Sequence, residues 1–306
     1  MKCIDFDQVF SRYVMSHFEV IGKNYANYDA MEAAIPDLYQ AFLQTPADFL
    51  GGICPAEYFD RFDDPKELID GLLDYIHQDI PVPDMLLNRI SELGSKAESR
   101  LMVLLQNENA PQEARMYAVS LLQELDSQLP MQFYVNLQLN RTTEDELADA
   151  AAEALLSMGS DAVPLMTSAL DFANDAGKEA LCGILCHYPD ITGCVLRELL
   201  RLITLPEADV ALLAGYLGML GDDAALETLI DIALDDKIDY LTYIELRSAI
   251  EELGGEAPER DFNQDDPQYE AMSRLQSFPK GESPDESEGE EKQTLQMPSS
   301  DGDYLQ

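Results

Sequence analysis

Between residues 82 and 254 the apolar positions recur with a period near 3.6 residues, the spacing of one face of a helix. Val210, Leu213, Ala214, Leu217 and Leu220 form one such stripe, and Leu226, Leu229, Ile230, Ala233 and Leu234 form the next. Ala162, Leu165, Met166, Ala169 and Leu170 make a third. Alternation of period two never lasts, and Val, Ile and Thr do not cluster, so the pattern predicts an all-α chain. Pro111, Pro164 and Pro206 stand at or near predicted helix starts, where a missing N–H costs little.

These helices repeat. A helix ending in Leu-Gly or Met-Gly, followed by a second helix, occurs at Leu93-Gly94, Met158-Gly159, Leu220-Gly221 and Leu253-Gly254. The intervals are 65, 62 and 33 residues, or two, two and one steps of about 32. The intermediate steps fall near 126 and 190, at Leu125-Asp126 and Tyr188-Pro189-Asp190, both suited to breaking a helix. Glycine after the last apolar residue is the expected C-cap, because it reaches positive φ without a Cβ clash. Two helices per unit at a fixed period of this length predict an α-solenoid of about five stacked antiparallel helix pairs over residues 81–254.

The segments Leu217-Gly-Met-Leu220-Gly221-Asp-Asp-Ala224-Ala-Leu226-Glu-Thr-Leu229 and Ala151-Ala-Glu-Ala-Leu155-Leu-Ser-Met158-Gly159-Ser-Asp-Ala162-Val-Pro-Leu165 resemble the short HEAT-like repeat of phycobilisome-lyase type. Many such repeats carry an arginine eleven residues before the closing glycine. Arg115 stands eleven before Asp126, but the equivalent positions elsewhere are Ala148, Val210 and Tyr243, so the resemblance is to a divergent member. It implies the armadillo-type architecture of HEAT solenoids. The family consists mostly of scaffolds and adaptors with a few chromophore lyases, and fold alone does not carry function.

The ends differ from the middle. Thirteen of the 25 Phe and Tyr residues lie in the first 80 positions, which predicts a distinct aromatic-rich helical N-terminal unit over 1–80. Pro81 and Pro83 suit a joint there. Residues 255–306 carry 14 acids and four bases among Gly, Pro, Ser and Gln, a composition that cannot offset its ordering entropy and predicts a disordered acidic tail. Within it, Tyr269, Met272, Leu275 and Phe278 keep helical spacing over 268–278, either as a short helix or as a partner-binding segment.

Charge narrows the function classes. The chain carries 19 Lys and Arg against 59 Asp and Glu, a net charge of −40. Nucleic acids and anionic membranes bind by releasing counterions to Lys and Arg, so neither is an expected partner. The early acids Asp5 and Asp7 break any signal-peptide core, and no apolar run nears the ~20 residues of a membrane span, so a cytoplasmic protein is expected.

Candidate chemistry is sparse. Cys182, Cys186 and Cys194 cluster beside His187, a combination that could hold zinc but matches no closed zinc module, and Cys182 lies among apolar neighbours like a core residue. His17 and His77 stand alone, and no nucleophile elbow, zinc-protease helix or phosphate loop is present. The calcium-like start at Asp261 lacks the required glycine at Asp266 and the bidentate acid at Met272. No cofactor and no catalytic residue is therefore expected.

The expectation is a noncatalytic scaffold presenting an acidic solenoid surface to a protein partner, the charge being either a solvated surface or a negative groove that steers a basic partner. Second helices commonly line the concave side of a solenoid, which nominates Glu98, Arg100, Arg197, Arg201 and Glu227, with the tail residues Tyr269, Met272, Leu275 and Phe278 as added contacts. The alternative is a cofactor-handling, small-ligand-binding or lyase-like protein in which Tyr25, Tyr28, Tyr39, Tyr58, Phe59 and Phe62 wall a pocket.

Overall fold

A computed structural model describes residues 1–262 except 22–24, 26–27 and 189–191. The tail readings at Tyr269, Met272, Leu275 and Phe278, the acidic run, most of the calcium-like segment and the break at Pro189-Asp190 lie outside the described residues. Among those residues the chain is all-helical, and the one extended pairing is an isolated bridge between Ala47 and Ile53. No described helix is long and apolar enough to cross a membrane.

In chain order the α-helices are α1 (Phe6–Ile21), α2 (Tyr28–Ala33), α3 (Ile35–Gln44), α4 (Pro65–His77), α5 (Asp84–Glu92), α6 (Ser95–Gln106), α7 (Gln112–Glu124) and α8 (Met131–Gln138). They continue as α9 (Glu146–Ser157), α10 (Val163–Ala169), α11 (Asp175–Leu185), α12 (Thr192–Leu202), α13 (Val210–Leu220), α14 (Leu226–Ala233) and α15 (Tyr240–Glu252). Acids and amides start many of them. The side chains of Asp145, Asn174, Asp209 and Asp239 accept the backbone N–H of Ala148, Gly177, Leu212 and Thr242, so part of the negative charge caps helices.

The closing positions carry left-handed residues. Gly94, Gly159, Gly221 and Gly254 have φ of 56°, 68°, 73° and 81°. Asp126, at the step inferred from period alone, has φ of 50°, one of the few non-glycine residues in that region. There the Ser127 N–H donates to Leu122 O at 3.0 Å and the Asp126 N–H to Gln123 O at 3.0 Å, the paired bonds that end a helix through a left-handed residue.

Packing follows the repeat. Helix α5 packs on α7, α7 on α9, α9 on α11, α11 on α13, and α13 on α15, so each helix preceding a closing position lies against the same helix one unit on. The intervening helices connect them: α6 packs on α7, α8 on α9, α12 on α13, and α14 on α15. Helices α8, α10 and α14 are only seven or eight residues long, α10 and α14 being preceded by 3₁₀ turns.

One buried core runs from Phe6 to Ile250. No gap occurs at the Pro81-Pro83 joint, since α4 packs on α5, α6 and α7, and Arg89 of α5 reaches back to Phe62 O at 3.1 Å and Asp63 at 2.7 Å. At the other end, residues 255–262 were expected within the tail but pack on the last helices. The Tyr243 hydroxyl donates to Pro258 O at 2.7 Å, Arg260 donates to Ala233 O at 3.1 Å, and the Phe262 ring lies against Tyr240 and Tyr243.

Candidate partner-binding face

The outward faces of the helices preceding the closing positions carry two clefts. One, of about 740 Å³, lies between α13 and α15. Its α13 side is Leu212, Gly215, Tyr216 and Met219, and its α15 side is Glu245, Ser248, Ala249 and Glu252, with Asp209 and Ala211 completing the lining. Each α13 residue is matched by the α15 residue 33 positions on, so the cleft joins the same four positions of adjacent units. One wall is apolar and the other carries two carboxylates.

The other cleft, of about 610 Å³, is formed by Gln112, Glu113, Met116, Tyr117 and Ser120 of α7 with Glu146 of α9. Met116, Tyr117 and Ser120 stand ten, nine and six residues before Asp126, as Ala211, Leu212 and Gly215 do before Gly221. The two clefts therefore share three positions on their first helix but differ on the second, each with apolar side chains, at least two carboxylates and no basic residue in its lining.

A third cavity, of about 310 Å³, opens where α11 meets the turns before α9 and α13. Arg141, Asp175, Glu179 and Glu207 line it with Leu205 and Leu213. Arg141 is buried and committed within the chain: it donates to Gln138 Oε1 at 2.9 Å and to the Asp149 carboxylate, while its own carbonyl accepts Asn174 Nδ2 at 2.8 Å. Burial, and then the Asp209 charge, push the Glu179 carboxyl above its ordinary range against the opposing pull of Arg141. Nothing in the sequence singled out Arg141. An arginine in the polar run Asn140-Arg-Thr-Thr, eight residues before Asp149, was the available signal.

The nominated second-helix residues fall on three helices, and of them Arg197 and Arg201 meet at Glu198. Glu98 and Arg100 are on α6, Arg197 and Arg201 on α12, and Glu227 on α14, and none lines the three cavities. Arg201 is held by Asp175 at 2.6 Å and Glu198 at 3.1 Å, and Lys178 bonds the same Glu198 oxygen at 3.0 Å, which pins α12 to α11. Burial would raise the Glu198 carboxyl, but these two donors outweigh it and hold it below the ordinary range. Arg197 is largely exposed, at 3.8 Å from Glu198.

Cys182 and Cys186 are buried in the core, and burial pushes their thiols up to about 12 and about 11. His187 is exposed beside them and Cys194 lies half-buried on α12. Among the described residues no three His, Cys, Asp or Glu side chains gather as a metal ligand set. Of the N-terminal aromatics, Tyr58 and Phe59 are buried with rings 4.9 Å apart, Phe62 and Phe6 pack on Tyr58, Tyr39 packs on Phe10, and Tyr25 meets Phe18. The Tyr28 side chain lies outside what the structure describes.

No protein-family model matches the chain, and no curated protein aligns with it significantly. The class that the fold defines is that of an all-helical protein over the described residues.

Proposed function

We propose that the chain is a divergent HEAT-like α-solenoid acting as a noncatalytic protein-binding scaffold. The observation that carries this reading is the likeness of the two clefts. They share three positions relative to the closing residue, and each is an apolar depression edged by carboxylates. Packing in which each closing helix lies on its counterpart one unit on supports the solenoid. The partner is a basic protein, drawn by complementary charge and held by apolar contact. It sits on the faces of the closing helices, not on the second helices that general solenoid geometry nominates.

Photo-crosslinking amino acids placed at Tyr117, Leu212 and the exposed Val103 of α6 test this in extract from the native cell. The reading expects a basic protein attached at 117 and 212 but not at 103, with the yield falling at high salt, where exposed charges are screened. Adducts at 103 alone, or at none of the three, would overturn it.

A further inference from the structure

Gly215 has no structural reason to be glycine. It lies inside α13, where glycine is disfavoured relative to alanine. Its φ is not in the left-handed region, and a Cβ built on it meets no heavy atom within 4 Å. Gly218, one turn on, is different: a Cβ there would fall 3.1 Å from the Ala249 Cα and 2.6 Å from a Glu252 carboxylate oxygen, so its absence lets α13 and α15 close together. The helices touch at Gly218 and leave a depression at Gly215.

The walls of that depression are fixed. Tyr216 is seated on α11, where a Cβ on Gly183 would fall 2.7 Å from its hydroxyl oxygen, and Met219 Sδ lies 3.5 Å from the buried Cys186 thiol. Leu212 and Met219 nevertheless remain 39% and 50% exposed, an apolar edge offered to solvent on both sides of Gly215. Across the groove Glu245 and Glu252 stand seven residues apart, two helical turns or roughly 10 Å. That is the separation of i and i+7 side chains on a helix laid alongside.

We propose that the α13–α15 groove docks an amphipathic basic helix of a partner protein. One large apolar side chain enters above Gly215, and Lys or Arg residues two turns apart meet Glu245 and Glu252. The inference rests on the scaffold reading and adds the partner's chemistry. Charge selects the occupant: the groove lining holds three carboxylates and no base, and the chain's own segment beyond 254, with 14 acids and four bases, has the wrong sign to fill it.

The test uses the full chain and a fluorescein-labelled helical peptide with Lys at i and i+7 flanking a stripe of Leu and Phe, read by anisotropy. A peptide of the same composition, scrambled to abolish the stripe, serves as control. Gly215→Leu puts a side chain into the depression at a position where its Cβ meets no heavy atom within 4 Å, and is expected to weaken the striped peptide about tenfold, the cost of losing one anchor, with no fall in thermal midpoint. Glu245→Gln with Glu252→Gln is expected to weaken it and flatten its salt dependence. The scrambled peptide should bind poorly and ignore Gly215→Leu. Equal binding of both peptides, or an affinity that Gly215→Leu leaves unchanged, would overturn the groove assignment. A partner crosslinked at 117 but never at 212 would also overturn it while leaving the scaffold reading in place.

Discussion

Gly177, in the first turn of α11, lies directly against the main-chain carbonyl of Gln138 at the end of α8. The carbonyl has nowhere to go. The Gln138 side chain donates to Ala148 O at 2.8 Å and accepts Arg141 at 2.9 Å, and the neighbouring Leu139 O accepts the Asn174 N–H at 2.8 Å. Asn174 in turn caps the Gly177 N–H at 2.9 Å, so three helix ends meet at one point.

Gly177→Ala should therefore destabilise the protein by about 3 kcal/mol despite alanine's better helix propensity, because overpacking here displaces a bonded main chain. Urea unfolding is expected to show a lower midpoint with an unchanged slope. An unchanged midpoint would mean that the contact relaxes freely.

Tyr134 makes the opposite case. Its side chain is fully buried in α8, its hydroxyl has no hydrogen-bond partner among the described residues, and burial holds its ionisation above the ordinary range. Tyr134→Phe removes a buried group that is not repaid, and should stabilise by about 1 kcal/mol. A loss of stability in thermal unfolding would show that the hydroxyl is bonded in solution.

Glu198 gives a pH signature. Its carboxyl titrates lower in the folded chain than in the unfolded one, so its contribution is full above the unfolded value of about 4.3 and is lost as pH falls through the folded value. Glu198→Gln should cost about 2 kcal/mol at neutral pH, from the weakened bonds of Lys178 and Arg201. The gap from wild type should close as both are acidified below about pH 4. A gap independent of pH would assign the loss to packing instead.

Thiol chemistry checks the core. With their thiols pushed up to about 12 and about 11 by burial, Cys182 and Cys186 should stay unalkylated by iodoacetamide in the native protein at mildly alkaline pH and react on unfolding. Mass spectrometry of the native reaction would contradict the buried placement if either carried the label.

Much of this architecture was legible in one dimension. The period placed a closing position at Asp126 with no glycine to mark it, and the chain does turn there with positive φ. A second helix as short as α10 was not legible, because the 3₁₀ turn before it uses residues that keep the same apolar spacing. The clefts were hidden for a different reason. Each lies between residues 33 positions apart, and the string Gly215-Tyr-Leu-Gly218 does not say which glycine closes a helix contact and which leaves a space. Arg141 escaped notice because its partners Gln138 and Asp149 lie on different helices, brought together by the turn it occupies.

At either end of the described residues a flanking segment is tied to the helices through tyrosine hydroxyls, and at the first Tyr58 also donates to Lys2 O at 3.0 Å. Tyr75 of α4 donates to Ile4 O at 3.2 Å and accepts the Ile4 N–H at 3.0 Å, while Tyr243 of α15 donates to Pro258 O at 2.7 Å. In the repeat stack proposed above, members join mainly to their neighbours, so loosening starts at an open edge and travels inward one member at a time. The hydroxyls thus work like stops on a zip, set where each end would begin to run.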